Sequence, residues 1–352
     1  MNTKIITLNE KELKEEQFTE AAAILQAGGL VAFPTETVYG LGGDGLREDA
    51  ARKIYAAKGR PSDNPLIIHI ADTKRLAVLT KEVPEAAKKL AEAFWPGPLT
   101  MIFEKATVVP KGTTGGLDTV AIRMPEHAIA RKLIQVSGVD IAAPSANASG
   151  RPSPTLAKHV IEDLDGKIDM IIDGGAVGIG LESTIVDMTG EIPTILRPGF
   201  ITKEMLQAVV GEVKIDPAIL EKPSADLKPK APGMKYKHYA PKADLHIYEG
   251  DLQKVVSKIK ELTKKNLEAG KRVGIIATEE TRHLYLEGNI KVIGSRAAEE
   301  TIAHSMFAVL REFDEEEMDI IYSESFTSDK LGAAIMNRML KASGYQIENL
   351  GD

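Results

Sequence analysis

The 352-residue chain contains no cysteine. That excludes disulfides, thiolate zinc sites, iron–sulfur clusters and cysteine nucleophiles together. Aromatic residues are sparse at 5%, with a single Trp. No window approaches the roughly 20 apolar residues that would span a bilayer, and the longest uncharged stretch near the start, 21–35, is broken by Gln26, Gly28, Gly29 and Pro34. The opening MNTKIITLNE, followed by KELKEEQ, lacks the basic-then-apolar order of a signal peptide, so a cytoplasmic protein is expected. Three catalytic patterns are also missing. There is no HExxH, no GxxxxGK[ST] phosphate loop and no GxSxG nucleophile elbow. The seven histidines (69, 127, 159, 238, 246, 283 and 304) are scattered, and no protein-held metal site is expected.

What remains is an ordinary globular composition: 43% hydrophobic residues, 30 Gly, 18 Pro and a net charge of −7. The length predicts about two domains. Residues 1–220 carry a net −5 and residues 243–352 a net −6, whereas 221–242 holds six Lys, two acids and four Pro. We therefore expect domains at 1–220 and 243–352 joined by a basic, Pro-rich linker. Tyr236 and Tyr239 argue that this linker touches something rather than serving only as a spacer. In the C-terminal block short apolar strands alternate with helices (251–269, 297–313 and 329–343), which predicts a smaller, doubly wound, Rossmann-like α/β domain with a mostly parallel sheet. The N-terminal block mixes β-branched strand runs with helices near 15–27, 48–58, 84–94, 126–137 and 202–210. Some strands follow one another directly, so a mixed, twisted sheet with helices is expected.

Several segments of the N-terminal block could carry chemistry. GLVAFPTETVYGLGGDG (29–45) reads as a strand opening into a Gly-rich turn; its GxGxxG match at Gly40, Gly42 and Gly45 is a weak dinucleotide signal. Thr35-Glu36-Thr37 places short polar side chains at the strand end. In KIYAAKGRPSDNPLIIHI (53–70) the helix should stop at Gly59 with Pro61 blocking continuation. Lys58 and Arg60 then sit in a turn with Asn64, with His69 on the next strand. Two cations there suit a polyanion such as a triphosphate, or merely complete the helix dipole. DIAAPSANASGRPSPT (140–155) gathers Ser145, Asn147, Ser149 and Ser153 among small residues that let a ligand approach backbone. Arg123 lies in a strand pattern, where an arginine more often faces solvent. A second Gly-rich loop, 173–187, delivers Ser183 and Thr184, and Arg197 precedes Pro198.

In combination, PTETVYGLG (34–42), AKGRPSDNPLIIHI (57–70), APSANASGRPSPT (143–155) and PGMKYKHYAP (232–241) resemble the threonylcarbamoyl-AMP synthases of the YrdC-like superfamily, in their long two-domain form. The resemblance implies a nucleotidyltransferase that joins L-threonine, bicarbonate and ATP into L-threonylcarbamoyladenylate with release of pyrophosphate. A downstream transferase complex would then modify the tRNA adenosine 3′ to the anticodon, with tRNA contact by this chain weak or indirect and no membrane partner. It assigns the catalytic signatures to Lys58, Arg60, Ser145 and Asn147. By position in the matching motifs it implies ATP contacts at Lys58, Arg60, Asn64, Thr119, Ser145, Asn147, Ser153, Arg197 and Tyr239. L-threonine contacts fall at Thr37, His69, Arg123, Ala143 (through its backbone) and Ser183. Mg2+ would be carried by ATP, with no protein ligand assigned.

That chemistry joins two anions, so it needs charge neutralisation and positioning rather than a covalent nucleophile. Arg123 would pair with the threonine carboxylate, and Tyr239 and its basic neighbours would close as a lid over a hydrolysable mixed anhydride. Two competing readings remain. The carbamoyltransferases of hydrogenase maturation share the superfamily but carry cysteine-based zinc modules, which this chain cannot build. An RNA-binding module without adenylate synthesis is the alternative function; the net charge of −7 opposes the usual electrostatic footprint of such a module.

Overall fold

The computed structural model describes residues 2–219, 231–232, 238–326 and 330–351. The chain falls into two compact units, Met1–Ser149 with Ser153–Tyr236, and Gly150–Pro152 with Lys237–Asp352. Most of the expected linker, including Tyr236, lies outside the described residues.

The first unit is built on one large sheet. Its strands are β1 (Lys4–Thr7), β2 (Val31–Pro34), β3 (Tyr39–Asp44), β4 (Ile67–His69), β5 (Leu99–Glu104), β6 (Thr119–Arg123), β7 (Ile141–Ala142), β8 (Met170–Asp173), β9 (Thr184–Asp187), β10 (Thr194–Arg197) and β11 (Lys214–Ile215). Among the described residues they run in the order β1-β8-β2-β3-β7-β4-β6-β5-β9-β10-β11. It combines parallel and antiparallel pairs, for example β4 parallel to β6 and β5 antiparallel to β6, so the sheet is mixed as expected.

The Gly-rich stretch does not form the expected turn. Tyr39–Asp44 is a strand paired antiparallel with β2, and its glycines serve close packing. A Cβ on Gly42 would come within 2.7 Å of Ile141 Cγ2 and 2.8 Å of Phe33 Cε1. The GxGxxG match is thus a flat strand wedged between neighbours, and no phosphate-binding turn exists there.

Helices pack on this sheet with apolar stripes of helical period. They are α1 (Thr19–Gln26), α2 (Glu48–Lys58), a single turn α3 (Leu76–Leu79), α4 (Glu85–Phe94), α5 (Ala128–Ser137), α6 (Ala157–Leu164) and α7 (Lys203–Val210). Helices α3 and α6 and strands β1 and β11 escaped the sequence reading. Helix α2 buries Ala50, Ala51, Ile54, Tyr55 and Lys58, a three-and-four spacing that leaves a lysine on the core face. It ends where expected, at Gly59 with φ +60, a left-handed residue that also admits the sharp exit toward Arg60.

The second unit is a parallel sheet of β12 (Asp244–Glu249), β13 (Val273–Ala277), β14 (Asn289–Val292), β15 (Ile320–Glu324) and β16 (Ile347–Asn349). Their order is β14-β13-β15-β12-β16, and all four pairings are parallel. Helices α8 (Leu252–Glu268), α9 (Glu299–Glu315) and α10 (Lys330–Ala342) make the crossovers, the doubly wound pattern the sequence predicts. Only β16 was missed. Tyr239, at φ 65, packs here on Phe307 at 5.2 Å between ring centroids, with the Arg338 guanidinium over its ring.

Candidate active site

His69, Thr119 and Arg123 fall on the middle strands of the first unit's sheet. In the parallel β4–β6 pair, His69 stands opposite Arg123 and Ile67 opposite Ala121. Thr119, Ala121 and Arg123 share one face of β6 because side chains alternate. Thr119 is therefore four residues, about 13 Å, from Arg123 on the same face. Between these ends lies an apolar floor that includes Ile67, Ala121, Ile185 and Leu196, joined by Ala231.

At one end Arg123 is buried, not solvent-facing as strand statistics favoured. Its Nη1 donates to Thr37 Oγ1 at 2.9 Å, Nε donates to Gly97 O at 3.3 Å, and Nη2 lies 2.7 Å from Glu36 Oε1. The turn holding Glu36 and Thr37 is rigid. Thr35 Oγ1 donates to Val38 O, and Ile179 and Gly180 of the second Gly-rich loop donate their N–H groups to Glu36 O and Thr37 O. Beside them His69 is buried, with Nδ1 3.1 Å from Ile67 O. That carbonyl requires a proton on Nδ1, leaving Nε2 as an acceptor. Burial, then the Arg123 charge, pushes the His69 pKa down to about 3, so the ring is neutral at physiological pH.

Ser183 continues this end of the site, just before β9. Its Oγ is 2.7 Å from Thr100 Oγ1, and Arg197 at the end of β10 donates through Nη2 to Ser183 Oγ and through Nε to Ser183 O. Thr37, His69 and Arg123 are thus brought together, as are Ser183 and Arg197. Ala143 is held by its N–H donating to Ile67 O, toward the middle of the floor.

Elsewhere in the first unit Lys58 reaches from α2 into the loop after β7. Its Nζ donates to Ser145 O and Asn147 O, both at 2.5 Å, and approaches Asn147 Oδ1 at 3.4 Å. Ser145 Oγ donates to Asn147 Oδ1, and Ser149 N donates to Lys58 O. The two signatures, Lys-x-Arg and Ser-x-Asn, are therefore knitted into one body by the lysine. Arg60 is buried as well, with Nε donating to Asn64 O and Nη2 to Pro65 O, while Tyr55 Oη donates to Asn64 O. Ser153 Oγ donates to Glu182 Oε1 at 2.5 Å. Tyr239 belongs to the second unit.

The buried carboxylate Glu182 escaped the sequence reading, and Glu36, also buried, was singled out there only as part of Thr35-Glu36-Thr37, with no role of its own. For Glu36 a signal existed: it is the one charged residue in the apolar run 29–43. Among the described residues no three His, Asp or Glu side chains gather to hold a metal ion, and no helix is long and apolar enough to cross a membrane.

Comparison with known proteins fits this architecture. A family described as "Telomere recombination" matches residues 23–199, and "Threonylcarbamoyl-AMP synthase, C-terminal domain" matches 201–344. The chain is 51% identical to a threonylcarbamoyl-AMP synthase of Pyrococcus abyssi, over 98% of this chain and 99% of that one. It is 49% identical to the Bacillus subtilis enzyme of that name, with 96% of each covered. The crystal structure of P. abyssi Sua5 complexed with L-threonine superposes with a TM-score of 0.93 at 50% identity, covering 99% of this chain and 100% of that one. With both family regions present and the relatives matched end to end, the chain belongs to the threonylcarbamoyl-AMP synthase family of enzymes.

Proposed function

We propose that this enzyme condenses L-threonine, bicarbonate and ATP into L-threonylcarbamoyladenylate and pyrophosphate, for later transfer of the threonylcarbamoyl group to tRNA. The observation that supports it best is the β4–β6 pair, whose shared face bears Arg123 beside His69 and, about 13 Å along β6, Thr119, with Ile67 and Ala121 of the apolar floor between. That spacing suits an amino acid at one end and a nucleotide at the other, with the new bond between them.

Arg123 takes the threonine carboxylate, while His69 Nε2 accepts from the threonine hydroxyl. Thr37 and Ser183 line the same end, and the backbone of Ala143 faces the carbamate. Nitrogen attack on bicarbonate gives an N-carboxylate, whose oxygen attacks the α-phosphorus and expels pyrophosphate. Arg60, Asn64, Thr119, Ser145, Asn147, Ser153, Arg197 and Tyr239 are the proposed nucleotide contacts. Lys58 acts through the loop it holds and through its charge, since its ammonium already donates to loop oxygens. The rate gain comes from fixed positive charge meeting two anions in a place poor in water.

The Ser145 and Asn147 carbonyls are already engaged by Lys58, and among the described residues no three His, Asp or Glu side chains gather to hold a metal ion. Magnesium is therefore assigned to the nucleotide, and no step is routed through it. Pyrophosphate release measured with threonine, then bicarbonate, omitted tests the reading. Release is expected to fall to background in either case; release that ignores both omissions refutes it.

A further inference from the structure

Arg123 accounts for one charge of an amino acid. The zwitterion carries another, and the structure places a carboxylate where it would be met. Glu36 and Arg123 are both nearly inaccessible, with side-chain exposures of 11% and 5%, and they approach to 2.7 Å. Yet the pair is incompletely satisfied. Neither Glu36 Oε1 nor Oε2, nor Arg123 Nη2, makes a hydrogen bond of ordinary geometry among the described residues. Buried polar atoms are rarely left so, and a misaligned buried ion pair contributes little to stability for the desolvation it costs. Three such atoms side by side, of both charge signs, describe a cradle for a small molecule bearing both signs itself.

We propose that Glu36 is the amine-binding residue of this pocket, and that its carboxylate receives the α-ammonium of the amino acid and removes one proton from it. The inference rests on the function proposed above and deepens it. An ammonium cannot attack bicarbonate, because its nitrogen has no lone pair. Loss of one proton to Glu36 frees that pair. The N–C bond then forms as the C–OH bond of bicarbonate breaks; the departing hydroxide leaves as water with the proton from Glu36. A second nitrogen proton passes to solvent, and Glu36 returns to its carboxylate form.

The pocket also explains how a paired carboxylate becomes a base at the right moment. Burial, the largest influence on Glu36, raises its proton affinity, but Arg123 and nearby backbone N–H groups outweigh it, and its pKa lies below the usual value. The other titratable groups near it are His69 and His127, both pushed toward neutrality by burial. When the substrate carboxylate arrives at Arg123, part of the guanidinium's attraction is redirected. Burial then counts for more, and Glu36 becomes more basic only with the amino acid in place.

The test compares affinities for L-threonine and for 2,3-dihydroxybutanoate, the same molecule with a hydroxyl in place of the ammonium, by calorimetry on the full chain. Wild type is expected to favour threonine by about 10-fold or more, as a charge-assisted hydrogen bond allows. Glu36→Gln should abolish that preference while still binding the hydroxy acid, and Glu36→Asp should retain part of it. Threonine-dependent pyrophosphate release should fall about 100-fold in Glu36→Gln, in keeping with loss of a general base. An unchanged preference in Glu36→Gln, or near-normal release, overturns the assignment. If Glu36→Gln does not fold, Glu36→Asp decides the matter, and an unaltered preference and rate in that variant overturn the assignment. Failure of the wild type to release pyrophosphate would instead refute the function, with the affinity ratio still deciding the role of Glu36.

Discussion

Lys58 occupies a position on α2 that the helix would otherwise fill with an apolar side chain, in register with Ala51, Ile54 and Tyr55. Its ammonium is held by the carbonyls of Ser145 and Asn147, so it is a keystone of the loop as much as a source of charge. Lys58→Ala should leave those acceptors unpaired and cost about 1–3 kcal/mol of stability, with synthesis falling about 100-fold from loop misplacement. Lys58→Arg should not rescue it, because a planar fork cannot reproduce donation to these oxygens. Urea titration and pyrophosphate release would check both.

His69 gives a pH signature. Its folded pKa, about 3, lies below the ordinary 6.5. Between those values the unfolded chain binds a proton that the folded one refuses, so stability rises with pH across this window and is lost on acidification. The slope from this group is at most about 1.4 kcal/mol per pH unit. His69→Gln should flatten thermal stability against pH between about 6 and 4; an unaltered slope would mean that other groups set it.

The strand pairings decide what a motif means. Gly40–Gly45 reads as a loop because glycine is usually a breaker, yet in β3 the glycines clear space for Phe33 and Ile141. A local rule lost to a packing demand that only the assembled sheet displays. Gly42→Ala should destabilise the fold by about 1–3 kcal/mol through overpacking, measurable by urea denaturation. Arg123 shows the same limit: its burial follows from partners at positions 36, 37 and 97, which no window of sequence brings together. Helix α2 and its Gly59 stop, by contrast, were readable, since spacing and cap are local. Lys58 and Arg60 could be proposed from their turn; that the lysine points into the core was also written in its helical spacing. Glu36 was visible as an isolated charge, but its meaning required Arg123 across the fold.

Each unit carries its own sheet and its own buried cluster, one around Ile68, Leu99 and Ile122, another around Ile259, Ile275 and Tyr322. Neither sheet includes a strand of the other. Residues 232–241, which join the units, include Tyr239, and 233–237 among them lie outside the described residues. Deleting them should leave the circular dichroism spectrum near that of the intact chain while synthesis falls about 100-fold, the scale of a misplaced reacting group. Retained turnover would reduce the segment to a tether. The large mixed sheet and the small parallel one were both legible from the alternation of apolar runs and turns. The strand order in the first was not, because β8 inserting between β1 and β2 joins residues far apart in the chain.

His69 meets Arg123 because two parallel strands are hydrogen-bonded in one alignment. The proposed threonine end is consequently cut like a die, its tolerances inherited from peptide geometry instead of from loops that must find their shape on each encounter. A slip of one rung would turn His69 to the opposite face from Arg123, so inherited variation near this corner should accumulate around the die and spare the ladder that sets it.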